Sequence, residues 1–141
     1  MQVFCNFAPN IIIRMSALED IQKSIAAELQ MLHERINASL GSSNQLMNQV
    51  VSGYLKSKGK LIRPIMVILT SKLFGEVNER VIASAAAVEM LHNASLIHDD
   101  VVDDSQLRRS QPTINSLWGN HIAVLVGDFF VSSSLHKAVA T

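Results

Sequence analysis

The chain has 141 residues with 12 basic and 12 acidic side chains, a formal net charge of zero, 48% hydrophobic content and 17% charged residues. Such a balance describes one globular domain with a single core; it excludes a disordered chain and argues against a general nucleic-acid binder, which carries a basic surplus. No apolar run reaches the roughly 18 residues of a membrane span, and the single Cys5 excludes an internal disulfide or a cysteine-rich zinc site, so a reducing cytoplasm is the expected setting.

Residues 1–14, MQVFCNFAPNIIIR, lack the basic region and small-residue cleavage site of a secretory signal and differ in composition from the rest of the chain. Met15 precedes SALEDI, in which Ser16 and Glu19 form an S-x-x-E capping box. Residues 1–14 are therefore expected to be an extension without a role in the fold, with Met15 as the start and residues 15–141 as the domain. Leu18, Ile21, Ile25, Leu29, Leu32 and Ile36 recur at steps of three and four, which predicts one helix from Ser16 to about Leu40. Gly41, Ser42, Ser43 and Asn44 end it and open a second helix to about Ser57, with Leu46, Val50 and Leu55 inward. Pro64 at a first helical position opens a third, to Phe74, which Gly75 closes.

The longest helix is predicted from Asn78 through IASAAAVEML to between Asp103 and Gln106. The alanines at 83, 85, 86 and 87 allow close packing, so this element should be central and buried. A short helix over Thr113–Trp118 and an apolar helix from His121 to Thr141 come after it. With no alternating strand pattern longer than a few residues, the chain reads as all-α; its last helix has no stop signal, which predicts a truncated domain.

Chemistry concentrates in Leu91–Arg109, LHNASLIHDDVVDDSQLRR, where four aspartates, two histidines and two arginines share nineteen positions. Asp99 and Asp103, like Asp100 and Asp104, are spaced i,i+4 and would stack on one helix face. Carboxylates roughly 6 Å apart repel by about 3 kcal/mol at an effective dielectric near 20, which invites a cation. Mg2+ suits such a site, being held by one or two carboxylates together with substrate phosphate oxygens; the plain alternative is a solvated helix end.

Three neighbours bear on that choice. Lys60 and Arg63 stand at the start of a helix, where free N–H groups and the helix dipole already favour anions. His92 lies two turns before Asp99 on nearly the same face and can donate to a phosphate oxygen, whereas His98 is off that face and reads as a packing residue. Arg108 and Arg109 can clamp a diphosphate bidentately. Each has a bland reading too, as a solvated turn, a satisfied core histidine and a solvated loop, but together they describe two diphosphate places, one bridged by metal and one held by cations directly.

GKLIRP, then EMLHNASLIHDDVVDDSQLRRSQPT, then AVLVGDFF, in that order, closely resemble the trans-prenyltransferases, or polyprenyl (isoprenyl) diphosphate synthases, and most of all the long-chain bacterial members. The resemblance runs from about Leu18 to the end. It implies the N-terminal part of an all-α isoprenoid synthase fold around a central cavity, homodimeric in full-length members, in which Mg2+ assists condensation of isopentenyl diphosphate with an allylic diphosphate. By motif position, Asp99 and Asp103 would bind the metal with Asp100 in support. Arg108 would meet the allylic diphosphate, and Lys60, Arg63, His92 and Arg109 that of isopentenyl diphosphate. Ala94 and Ser95 are small where short-chain members carry aromatics, so a long product is expected.

Lys58, Leu61 and Ser110 depart mildly from the family pattern, Ser110 standing where a glycine comes after the two arginines. The larger departure is that no second aspartate-rich motif is present downstream, so this chain alone is expected to be inactive. Two rivals are a non-catalytic subunit of a heteromeric synthase and, from the His98-Asp99 pair, an HD-type metal phosphohydrolase, for which His33 and Asp128 would be poor further ligands.

Overall fold

A computed structural model describes residues 17–56 and 59–139, leaving out the side chains of residues 137 and 139. Ser16, the proposed start at Met15, the 1–14 extension, Ser57, Lys58 and the last two residues lie outside that range. In chain order the elements are α1 (17–24), α2 (Ala26–Ser39), α3 (Gln45–Leu55), α4 (Ile62–Phe74), α5 (Glu79–Val102), β1 (Leu107–Arg108), β2 (Gln111–Pro112), α6 (Ile114–Trp118) and α7 (Asn120–Val139).

The long central helix is α5, and its alanine pattern explains its place: Ala83, Ala85, Ala86, Ala87 and Ala94 are all buried, so neighbouring helices approach its backbone from several sides. Its broadest partner is α7, followed by α4 and α2. Leu32, Ile68, Ile82, Met90, Ile97, Val126 and Phe130, drawn from α2, α4, α5 and α7, form the core around it. Asn78 opens α5 as an N-cap, its Oδ1 accepting from the backbone N–H of Arg80 at 3.0 Å and of Val81 at 3.1 Å. Asn44 does the same for α3 through Met47 N at 3.1 Å.

Four expectations need correction. The predicted first helix is interrupted at Ile25, whose φ of −123° and ψ of 30° leave the helical region; the 1% exposure of its side chain ties this corner to the core. Ile21 and Leu46, read as inward, are exposed. Helix α4 starts at Ile62, two residues before Pro64. Leu61 enters it at φ 53°, and Pro64 sits buried within the first turn, where its missing N–H has no intrahelical partner to lose. Finally, Leu107↔Pro112 and Arg108↔Gln111 form a small antiparallel ladder that no alternation announced.

His98 is the packing residue its position suggested. Its imidazole lies against Gly127 of α7, where a Cβ would fall 2.2 Å from Nε2, and Nε2 is 3.3 Å from Asp128 Oδ1 and 3.4 Å from Val124 O. Gly127→Ala should push the ring out of the α5–α7 seam and lower stability by about 1–3 kcal/mol; unfolding in urea measures this, and an unchanged midpoint would show that the seam can yield.

Candidate functional site

The aspartates occupy the C-terminal turn of α5, whose ending is specific. The N–H of Ser105 bonds Asp100 O at 2.9 Å and that of Asp104 bonds Val101 O at 3.3 Å, with Asp104 left-handed at φ 49°. This is a Schellman arrangement with Asp104 where glycine is usual, an exchange that a short polar side chain tolerates. The start of α6 seals the same end: Asn115 Nδ2 donates to Asp100 O at 3.3 Å and Ser105 O at 3.0 Å, and the Thr113 hydroxyl donates to Ser105 O at 2.7 Å. Asp104 is therefore off the helix, and the expected Asp100/Asp104 stacked pair does not form.

Asp100 turns inward to 4% exposure. Arg108 Nε donates to its two carboxylate oxygens at 2.9 and 3.0 Å, and Nη2 approaches Oδ1 at 2.8 Å. The Asp100 bond holds the Arg108 guanidinium still further above its ordinary range. Arg108 reaches Asp100 because β1 turns back at once: Arg109 and Ser110 form a two-residue loop with φ of 51° and 63°. Positive φ at both loop positions gives the primed hairpin twist and explains why glycine suits position 110.

The other two aspartates of the motif stay open. Asp99 and Asp103 are exposed, and among the described residues neither carboxylate has a hydrogen bond or ion pair. They end a helix whose C-terminal dipole repels negative charge, although Asp99 also lies within the attraction of Arg108. No group of three or more potential ligands gathers among the described residues. Two open carboxylates one turn apart nevertheless fit Mg2+, which keeps its remaining positions for water and phosphate oxygens.

Arg109 reaches the α3–α4 loop that carries Lys60, and the charges of Arg63 and Arg109 both bear on His92. Gly59 faces Arg109, Nη1 lying 3.4 Å from where a Gly59 Cβ would be. The Lys60 backbone carbonyl accepts from Gln22 Nε2 at 3.3 Å. Burial, and then the charges of Arg63, Arg109 and Arg108, push His92 below its usual 6.5, with Glu89 opposing. Among the described residues, the side chains of Lys60, Arg63 and Arg109 have no ion-pair partner. Ser95 shares the exposed face of Asp99, whereas Ala94 is packed in the core at 1% exposure, so the two do not line one surface.

Glu89, Asn93, Tyr54, Thr113 and Asn115 were not singled out from sequence. Glu89 alone carried a signal, an acid in an alanine-rich apolar run. Tyr54 OH donates to Asn93 Oδ1 at 2.9 Å, and burial pushes the phenol up to about 12. For the phosphohydrolase reading, Asp128 does reach His98, but His33 only contacts Leu29 O in its own helix, at 2.7 Å.

A family profile described as "Polyprenyl synthetase" matches residues 44–140. An all-trans-nonaprenyl-diphosphate synthase (geranyl-diphosphate specific) of Rhodobacter capsulatus is 42% identical over 122 residues, 86% of this chain and 38% of its own. A decaprenyl diphosphate synthase structure from the same organism superposes with a TM-score of 0.83 at 31% identity, covering 87% of this chain and 38% of that one. A polyprenyl synthase from Caulobacter crescentus CB15, complexed with calcium and isoprenyl diphosphate, gives 0.82 at 32% identity with the same coverage. The chain thus spans well under half the length of these relatives.

Arg108→Ala would leave the Asp100 carboxylate buried without its counter-charge, so we expect a loss of roughly 3 kcal/mol, partly recovered in the double variant with Asp100→Asn. Chemical denaturation of the two variants tests this; equal stability of Arg108→Ala and the parent would contradict it.

Proposed function

Since the chain belongs to the polyprenyl synthetase family, we propose that it forms one wall of a prenyltransferase site that condenses isopentenyl diphosphate with an allylic diphosphate, within a homodimeric enzyme of the cytoplasm. The observation that carries this reading is the separation of charge. Asp99 and Asp103 form an open acidic side at the end of α5, Lys60, Arg63 and Arg109 have no ion-pair partner among the described residues, and Asp100 and Arg108 are spent on each other. One anion reaches the first side only through a metal, while a second binds the cations directly.

In the reaction, the allylic C1–O bond breaks and its electron pair leaves on the diphosphate. The isopentenyl double bond attacks C1, and loss of a proton restores an alkene. Mg2+ held by Asp99 and Asp103 would neutralise charge on the departing diphosphate. Arg108, aligned by Asp100, would donate to the same group. Lys60, Arg63, Arg109 and His92 would orient isopentenyl diphosphate so that its double bond faces C1. Ser95, one turn below Asp99 on the same face, offers little bulk to a growing tail, which fits a long-chain product.

Asp99→Asn and Asp103→Asn should each abolish the Mg2+-dependent part of the stabilisation by diphosphate and leave the metal-independent part. Asp103→Asn should also raise the metal-free melting temperature, because a carboxylate at a helix C-terminus costs about 0.3–1 kcal/mol, whereas in Asp99→Asn the lost attraction to Arg108 offsets that gain. Thermal unfolding with diphosphate, with and without Mg2+, reads both effects, and a Mg2+-dependent shift that survives both substitutions would refute the metal assignment.

A His92 pushed below 6.5 is mainly neutral at pH 7, and a bound diphosphate stabilises its charged form. Binding should therefore take up a proton. Affinity should rise as pH falls through the raised pKa of the bound state and level off below the depressed pKa of the free state. Calorimetry in buffers of different ionisation enthalpy, with His92→Gln as the reference for diphosphate's own titration, measures this; identical proton uptake in both proteins would exclude His92.

A further inference from the structure

Glu89 is a carboxylate among cations, on α5 one turn before His92 and buried to 8% exposure. Its partners are arranged on two sides. On one, Asn93 Nδ2 donates to Glu89 O at 2.8 Å and to Oε1 at 3.4 Å, while Asn93 Oδ1 accepts from Tyr54 OH at 2.9 Å. Tyr54 is itself braced edge-on against Phe130 of α7, with ring centroids 5.7 Å apart. With Oδ1 taken by the phenol, the amide can present only its N–H groups to Glu89. The relay therefore ends on an acceptor, Glu89 Oε1.

On the other side is Gly59, in the loop that carries Lys60. A Cβ there would lie 3.4 Å from Arg109 Nη1 and 4.0 Å from Glu89 Oε1, so guanidinium and carboxylate approach the same point of backbone. A buried negative charge is the wrong sign to touch a diphosphate. It can serve one only through the cations it faces.

We propose that Glu89 is a positioning residue for the isopentenyl diphosphate subsite. Its charge attracts the exposed Arg109 guanidinium across Gly59 from beyond ion-pair distance and orients it toward the loop that carries Lys60, while the Tyr54–Asn93 relay holds Glu89 itself. The inference rests on the reading of this cationic wall as a diphosphate site.

The test uses the 141-residue chain and isopentenyl diphosphate in calorimetric titration, with the Arg109 side-chain Nε–H resonance, assigned by its loss in Arg109→Lys, as a structural readout. Glu89→Gln keeps the shape and the Asn93 contact but removes the charge. It should weaken binding about tenfold and move the Arg109 resonance toward that of an arginine with no carboxylate nearby, and Glu89→Asp should restore part of both. Tyr54→Phe, which releases Asn93, should weaken binding about threefold, and it decides the matter if Glu89→Gln does not fold. Unchanged or tighter binding in Glu89→Gln, the simple Coulombic effect of deleting a nearby negative charge, overturns the proposal while leaving the diphosphate site standing. Absence of binding by the unsubstituted chain overturns the diphosphate reading and this inference with it.

Discussion

The ion pair between Asp100 and Arg108 is the constraint on which the site's geometry depends. A carboxylate at 4% exposure is tolerable only because a guanidinium fork meets both of its oxygens. That one bond fixes where the chain must go after α5. The helix has to end within a few residues and reverse, and Arg108 has to enter from a strand that turns back at once. The left-handed Asp104, Arg109 and Ser110 are the backbone cost of meeting that demand. The bonds from Thr113 and Asn115 to Ser105 and Asp100 carbonyls hold the reversal closed.

What this fixed element achieves is segregation. Of the three aspartates in D-D-x-x-D spacing, one is consumed by structure and two are left open; of the two arginines beyond them, one is consumed and one is left without an ion-pair partner among the described residues. A single internal pair thus leaves two aspartates and one arginine of the motif exposed, the groups that the proposed function assigns to ligands. Neither set of charges is good for stability alone. Carboxylates at a helix C-terminus and cations crowded near a half-buried imidazole both raise the energy of the free protein, a pattern expected where binding offsets a local cost.

Beneath the basic surface the protein is more ordered than its exposed charges suggest. Tyr54 from α3, Asn93 and Glu89 from α5, and Phe130 from α7 meet there, so three helices share one small polar junction inside an otherwise apolar interface. Such a junction specifies the relative placement of the helices more sharply than aliphatic packing, because its donors and acceptors are satisfied in few arrangements.

Much of this was legible in the residues. Periodicity gave the helices, the alanine run on α5 predicted its burial, and the ordered motifs from Lys60 to Arg109 picked out the family, because helical spacing and side-chain chemistry are local properties. The sequence could not divide the labour among like residues. Asp99, Asp100 and Asp103 are chemically identical, and so are Arg108 and Arg109. Which of them is spent on the fold is decided by a hairpin whose Arg-Ser loop carries no conventional turn signature, and by the side chains that α6 brings back against the end of α5. The corner at Ile25, the early start of α4 and the Tyr54–Asn93–Glu89 relay were hidden for the same reason. The corner and the early start go with side chains, Ile25 and Pro64, buried by packing, and the relay rests on Tyr54 and Asn93 meeting from distant parts of the chain, which only the tertiary structure decides.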